Sequence, residues 1–143
     1  MTTVRDILNG KGTQVWSIGP EQTVFDALTL MADKEIGALV VLDNRKVIGM
    51  ISERDYARKV ILKGRSSRET PVREIMTSRV CYVSQQRTVD ECMALMTDKT
   101  VRHLPVMEDD QLVGIVSIGD VVKSIISERE FIIEQLEAYI TGN

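Results

Sequence analysis

The chain has 143 residues, of which 43% are apolar and 27% are charged, a composition typical of a globular protein and not of a disordered one. With 18 basic and 21 acidic side chains the formal net charge is −3, so no overall basic field attracts a nucleic-acid backbone. No apolar run approaches the roughly 20 residues that span a bilayer, and residues 1–6 lack a signal-peptide core, which favours a cytoplasmic location.

Potential metal ligands are few: the chain holds two cysteines, Cys81 and Cys92, and one histidine, His103. A closed zinc site needs about four such ligands, so the sequence predicts no metal site. Small buried apolar side chains are the favoured interpretation of both cysteines. The run GKGT at residues 10–13 lacks the spacing of a phosphate loop and is better explained as a turn. With no motif for a nucleophile and its base, the chain is predicted not to be an enzyme.

In chain order, the first predicted elements are a strand near residues 15–18 and a helix whose N-cap is Thr23. Apolar side chains recur at helical spacing behind that cap. Two strand-like runs follow at residues 38–42 and 47–52, and the short polar segment between them predicts a hairpin. A second helix is predicted to begin near Glu53. The predicted order is therefore β-α-β-β-α.

The same order of elements returns 65 residues further along the chain. Residues 23–56 align with residues 88–121 without a gap, and 11 of the 34 columns are identical, where unrelated sequences would share about two. The second copy has a predicted strand near 80–83, an N-cap at Thr88, strands at 104–107 and 112–117, and a helix from Ile118. The chain is therefore an internal duplication.

The duplication predicts a first unit at residues 3–62, a polar linker with Gly and Pro at 63–71, and a second unit at 72–126. One unit alone is small for a stable core. Two tandem copies are therefore predicted to pack sheet to sheet about a pseudo-twofold axis, which gives an α+β fold.

Residues 127–143 are predicted to form a separate C-terminal helix. Ser127 and Glu130 have the spacing of a capping box, and Gly142 is a suitable stop at the other end. Its apolar stripe consists of Phe131, Ile132, Leu136, Tyr139 and Ile140. Such a stripe should be covered, either by the module itself or by another subunit, and a contact in a homodimer is favoured.

Two motifs in each copy carry a resemblance to a known family. They are IGALVV at residues 36–41 with GMISERD at 49–55, and VRHLPV at 101–106 with GIVSIGD at 114–120. Over residues 3–125 the chain resembles two cystathionine-β-synthase (CBS) domains in tandem, an arrangement called a Bateman module. The resemblance implies that an adenosine-containing nucleotide binds in the clefts between the two motifs. It also implies that two modules associate face to face as a dimer.

The serine and the aspartate of each G-h-h-S-x-x-D motif have a chemical interpretation beside the resemblance. A carboxylate is a poor ligand for phosphate but a good acceptor for two ribose hydroxyls, which assigns Asp55 and Asp120 to the ribose. Ser52 and Ser117 are assigned to the junction of ribose and phosphate, where free helix amides also attract an anion. The alternative is that both serines are plain N-caps and that both aspartates favour the helix dipole.

Cations must accompany a phosphate, and the two copies offer different ones. Arg54 and Arg58 are candidates in the first copy. A solvated helix face is the alternative for Arg54, and it is the better interpretation of Arg58 and Lys59. In the second copy the resemblance implies that Arg102 and His103 reach the phosphate, and a structural histidine with its hydrogen bonds satisfied is the equally favoured alternative for His103. Because the copies differ in this way, the two sites are predicted to bind the same nucleotide with unequal affinities.

The base of a nucleotide needs an apolar slot with a few polar backbone groups. Candidates to line it are Val15, Ala38, Val80, Leu104 and Pro105, with Tyr82 either stacking on the base or packing between strands. Ordinary core packing is the alternative for each of the five apolar residues.

The sequence therefore predicts a regulatory module that senses adenine nucleotides, with AMP or ATP favoured and with NAD or S-adenosylmethionine left open. Binding would bias the packing of units or modules, and a partner protein would respond to the change. A structural or protein-interaction module with vestigial clefts is the alternative. Neither a nucleic acid nor a membrane is a predicted partner, and no catalytic cofactor is predicted.

Overall fold

A computed structural model describes residues 1–141 and contains five α-helices and five β-strands within that range. The first half comprises α1 (Val4–Lys11), β1 (Ser17–Ile18), α2 (Val24–Lys34), β2 (Ala38–Asp43), β3 (Lys46–Ser52) and α3 (Glu53–Lys59). The second half comprises α4 (Val89–Lys99), β4 (His103–Glu108), β5 (Gln111–Ser117) and α5 (Ile118–Thr141). Two short 3-10 turns, Ile61–Lys63 and Val72–Glu74, connect the halves. The predicted α+β class and the duplicated order are confirmed.

Capping boxes start the first long helix of each copy. The Thr23 hydroxyl oxygen accepts the Asp26 N–H at 3.1 Å, and the Asp26 carboxylate accepts the Thr23 N–H at 3.2 Å. Thr88 and Glu91 make the same pair of hydrogen bonds at the start of α4. Each box satisfies two backbone groups that would otherwise lack a partner, so both predicted N-caps are confirmed.

Residues 14–80 form one compact unit, called here the 14–80 unit. Its sheet has the order β1-β2-β3, with β1 parallel to β2 and β2 antiparallel to β3. Asn44 and Arg45 at the hairpin turn both have positive φ, 49° and 68°, which matches the twist of the two strands. The buried core consists of Ile18, Val24, Ala27, Met31, Leu39, Val41, Ile51, Val60, Val72 and Ile75.

The second compact unit, called here the split unit, joins residues 1–13 to the described residues from Cys81 to Thr141. Its sheet is the antiparallel hairpin of β4 and β5. The prediction of a strand near residues 80–83 was wrong in its extent. Of these four residues Val83 alone pairs with β4, and the Val80 N–H donates to the Ser78 carbonyl in a turn. The core consists of Val4, Ile7, Leu8, Val83, Val89, Cys92, Met96, Leu104, Val106, Val116 and Val121.

Each unit contains the segment that precedes the other copy in the sequence. Helix α1 precedes the first copy, yet it packs on β5 of the split unit, where a Cβ built on Gly114 would lie 2.8 Å from Leu8 Cδ2. Thr77 precedes the second copy, yet it pairs with Met50 of β3, beside Gly49. The compact units and the sequence repeats therefore divide the chain differently, and the repeat boundaries stay a prediction.

Helix α5 is continuous from Ile118 to Thr141. The prediction of a separate helix that begins at a Ser127–Glu130 capping box was therefore wrong. Beyond Gly119 the segment has neither Gly nor Pro to stop the helix begun at Ser117, so the backbone ladder runs through. The predicted stop at Gly142 lies outside the described residues. Across residues 1–141, no helix combines the length and the hydropathy that a membrane crossing requires.

Candidate functional site

Two strand-to-helix corners, β3 to α3 and β5 to α5, carry the predicted ribose aspartates. At the first corner the Ser52 hydroxyl oxygen accepts the Asp55 N–H at 3.2 Å, and Asp55 Oδ2 accepts the Ser52 N–H at 3.0 Å. At the second corner the matching distances for Ser117 and Asp120 are 3.2 and 2.8 Å. Both corners are thus capping boxes, as expected if the serines act as N-caps, the alternative to ligand binding given above.

Backbone pairing places the predicted neighbours beside each corner. Ala38 of β2 lies opposite Ser52 of β3, and the Glu53 N–H donates to the Gly37 carbonyl at 3.1 Å. In the split unit His103 lies opposite Ser117, and the Ile118 N–H donates to the Arg102 carbonyl at 2.8 Å. The structure therefore brings Ala38 to the Asp55 corner and residues 102–103 to the Asp120 corner.

The cation at the Asp55 corner is Lys59, for which the sequence favours a solvated helix face. Its Nζ lies 3.1 Å from Asp55 Oδ1 and donates to the Ile75 carbonyl at 2.9 Å. Asp55 is four residues before Lys59 on one helix, and that i,i+4 spacing was a signal that could have found the pair. Arg54 and Arg58 are both exposed, and neither forms an ion pair within residues 1–141.

The cation at the Asp120 corner is Lys11 of α1. Its Nζ lies 2.7 Å from Asp120 Oδ2 and donates to the Ile115 carbonyl of β5 at 3.0 Å. Burial alone would raise the pKa of Asp120, but the hydrogen bonds from Lys11 and from the Ser117 N–H outweigh it and lower that pKa. No local signal links Lys11 to a residue 109 positions away, so sequence reasoning missed it.

His103 is half-buried beside the same corner. Burial lowers the pKa of His103 below 6.5, and the positive charges of Lys11 and Arg102 lower it further, against an opposing effect of Asp120. The imidazole is therefore neutral near pH 7 and offers a hydrogen bond, not a charge. Arg102 is exposed, and its guanidinium is the cation of the predicted pair.

The predicted lining of the base slot separates into buried and accessible residues. Leu104 belongs to the core of the split unit, and Ala38 and Pro105 are also buried. Val15 and Val80 are half-buried in the 14–80 unit, whereas Tyr82 of the split unit is 60% exposed. Core packing therefore accounts for Leu104, and Tyr82 is accessible to a ligand.

A groove of about 570 Å³ adjoins the Asp120 corner. It is lined by Thr2, Asp6, Ile7, Gly10, Lys11, Asp120, Lys123, Ser124, Ser127, Glu128 and Phe131, all from α1, its leading residues and α5. Across residues 1–141 no three His, Cys, Asp or Glu side chains come together as a metal site would need.

Comparison with known proteins identifies the family of the chain. The family model for the CBS domain matches residues 3–62 and 72–127. A CBS domain-containing protein, CBSX3, named as mitochondrial, from Arabidopsis thaliana is 40% identical over 151 aligned positions, covering 99% of this chain and 73% of its own length.

Solved structures give the same result. A protein with CBS domains from Burkholderia ambifaria MC40-6 is 50% identical, with a TM-score of 0.86 over 88% of this chain and 95% of its own. The CBS domain pair of protein MJ0100, solved with 5′-methylthioadenosine and S-adenosyl-L-methionine, is 23% identical with a TM-score of 0.79, over 90% and 98% of the two chains, and supports the fold alone. Two motif-bearing copies, matched nearly end to end by relatives of this kind, show that the chain belongs to the CBS domain family.

Proposed function

We propose that this chain is a regulatory module that binds an adenosine-containing nucleotide, AMP or ATP before NAD or S-adenosylmethionine, at its two strand-to-helix corners. Proteins built from a pair of CBS domains are generally regulatory nucleotide-binding modules, not catalysts. The single observation that carries the proposal is the duplicated corner: each has a serine at the strand end and a carboxylate in the first helical turn.

The corner chemistry fits a ribose. Each carboxylate has two oxygens that accept hydroxyl hydrogens, and the capping bond from the serine N–H occupies only part of their lone-pair capacity. The two side chains are also accessible, with 13% of Asp55 and 24% of Asp120 exposed. A phosphate on the same ribose would meet Arg54 and Arg58 at the first corner, and Arg102 at the second, with His103 as a neutral donor.

A structural module is the second candidate, and one observation favours it. Both carboxylates already accept the backbone N–H of their own serine and already pair with a lysine. Capping alone accounts for a serine and an aspartate at this spacing. In this candidate the clefts are vestigial and the module serves only to contact another protein.

Asparagine variants separate the two candidates. Asp55→Asn and Asp120→Asn each keep an oxygen for the capping bond and lose the charge that holds a hydroxyl pair. In calorimetric titration with AMP, ATP, NAD and S-adenosylmethionine, each variant should weaken its own site about ten-fold. Asp26→Asn is the matched control, since Asp26 closes a capping box of the same kind at the start of α2 and belongs to neither G-h-h-S-x-x-D motif. Unchanged binding by the double variant contradicts the ribose assignment, and no binding by the unaltered protein favours the structural candidate.

The proposal includes a homodimer formed through α5. Side chains of α5 at a 4-3-4-3-4 spacing, with Arg129 between them, are exposed and mostly apolar: Val122, Ile126, Ile133, Leu136 and Ile140. This is the spacing with which helices pack against one another, and an identical helix matches it position for position. The cytoplasmic location stays a prediction from the sequence, and a partner protein that responds to the ligand belongs to the same proposal.

A further inference from the structure

Lys11 holds two groups of the split unit at once. Its ammonium donates to Asp120 Oδ2 at 2.7 Å and to the Ile115 carbonyl of β5 at 3.0 Å. Helix α1 ends directly after it, with the Gly12 N–H bonded to the Leu8 carbonyl at 2.8 Å, and Leu8 is packed closely over Gly114. The helix is therefore fixed on the strand in a position that delivers Lys11 to the corner.

In the 14–80 unit the corresponding strand carbonyl is bonded by a backbone N–H and not by a lysine. Met50 occupies the place in β3 that Ile115 occupies in β5, and its carbonyl accepts the Thr77 N–H at 2.8 Å. The lysine on Asp55 comes from the same helix, one turn further on. The remote partner at the Asp55 corner is the uncharged Thr77, whose hydroxyl also donates to Asp55 Oδ1 at 3.4 Å. Within residues 1–141, a remote charged side chain that serves both the strand edge and the carboxylate is found at the Asp120 corner.

A ribose bound at this corner would compete with Lys11 for Asp120. Oδ2 accepts both the Ser117 N–H and the Lys11 ammonium, so a ribose that takes both carboxylate oxygens must displace the ammonium. Lys11 is 34% exposed, and the groove beside the corner leaves room for its flexible side chain to move. An uncharged nucleoside leaves the displaced ammonium without an anion, whereas a nucleotide supplies one in its 5′-phosphate.

We propose that Lys11 makes the Asp120 corner select nucleotides over uncharged nucleosides, because it competes with the ribose for Asp120 and pairs again with a phosphate. The inference rests on the proposed function, since it requires a ribose at Asp120. It assigns Lys11 as a specificity-determining residue of that corner.

The test compares AMP with adenosine by calorimetric titration in an Asp55→Asn background, where the Asp55 corner is weakened about ten-fold, and the heats are fitted with a separate Kd for each corner. Lys11→Gln should lower the ratio of the adenosine Kd to the AMP Kd about ten-fold, because AMP loses its cation and adenosine loses its competitor. Arg5→Gln removes a positive charge from the same helix, where Arg5 is exposed, and should leave the ratio unchanged. Lys11→Arg keeps the charge and should keep most of the preference.

The outcomes are distinguishable. If Lys11→Gln changes both affinities equally, or if Arg5→Gln lowers the ratio as much, Lys11 is not the selecting residue and the inference is overturned, while the proposed function stands. If none of AMP, ATP, NAD, S-adenosylmethionine and adenosine binds the unaltered protein, the proposed function itself fails and the inference fails with it. If one of the other ligands binds but neither AMP nor adenosine does, the inference alone is overturned. If Lys11→Gln lowers the melting temperature so far that binding cannot be measured, Lys11→Met takes its place. The ratio of the adenosine Kd to the AMP Kd is then compared in the same way.

Discussion

His103 stands where the first copy has Ala38, and its protonation couples the Asp120 corner to pH. Burial and the neighbouring Lys11 lower the pKa of His103 in the folded protein. The unfolded chain therefore binds the proton first, and stability falls as the pH drops below about 6.5. We expect the single imidazole to titrate below 6.5 by NMR. We also expect the fall in unfolding free energy between pH 7 and 5 to shrink in His103→Ala, and an unchanged fall would contradict this.

Three glycines test how closely the leading segments approach the strands. A Cβ on Gly49 would lie 2.9 Å from the Thr77 carbonyl oxygen, whereas a Cβ on Gly114 would meet the side-chain ends of Leu8, which can rotate. Gly49→Ala should therefore cost about 1–3 kcal/mol, and Gly114→Ala should cost less. Gly10 in α1 has no atom within 4 Å, so Gly10→Ala should stabilise by about 0.5–1 kcal/mol. Urea unfolding midpoints give the order, and a costlier Gly114→Ala would contradict it.

At the scale of elements, helix starts were predictable from the sequence where a cap follows a loop or a strand end, and were mispredicted where the cap pattern lies inside a longer helix. Thr88 with Glu91 and Ser127 with Glu130 have the same spacing, yet only the first pair caps a helix. A serine inside a helix is tolerated, and no residue after Gly119 interrupts α5. Local spacing alone does not distinguish a helix start from a helix interior.

This difference predicts opposite effects of two alanine substitutions. Thr88→Ala removes the hydroxyl that accepts the Glu91 N–H at 3.1 Å and should destabilise the fold by about 1 kcal/mol. Ser127→Ala replaces a poorer helix former inside α5 and should be neutral or stabilise by up to about 0.5 kcal/mol. Thermal unfolding of the two variants measures this difference. An equal loss of stability in both variants would contradict the prediction and support a helix start at Ser127.

At the scale of the whole molecule, the duplication predicted the class, the order of elements and both serine–aspartate corners. The cations on those corners were not predictable in the same way. Lys59 lies one turn from Asp55 and was within reach of a local rule, but Lys11 meets Asp120 only because α1 packs on β5. Contacts between residues so far apart in the chain depend on tertiary packing, which a single sequence does not specify through spacing.

The exposed side chains of α5 at the 4-3-4-3-4 spacing predict the mass of the assembly. Ile133→Gln with Leu136→Gln replaces two of these apolar side chains by polar ones that still favour a helix. Sedimentation velocity should show a dimer for the unaltered protein and a monomer for this variant, because the apolar contact is lost. Glu134→Gln, on another face of the same helix, should remain dimeric. An unaltered protein that sediments as a monomer, or a double variant that stays dimeric, contradicts the dimer.

The placement of α1 in the split unit has a consequence for synthesis on the ribosome. Once residue 80 has emerged, the 14–80 unit has all its parts and can close. Helix α1 was made earlier, but β5 and its Gly114 arrive more than 100 residues later. At roughly 5–20 residues per second, Val4, Ile7 and Leu8 wait several seconds for their partners. The apolar side chains of α1 therefore stay exposed on the nascent chain while the 14–80 unit closes, which leaves a chaperone several seconds to bind them.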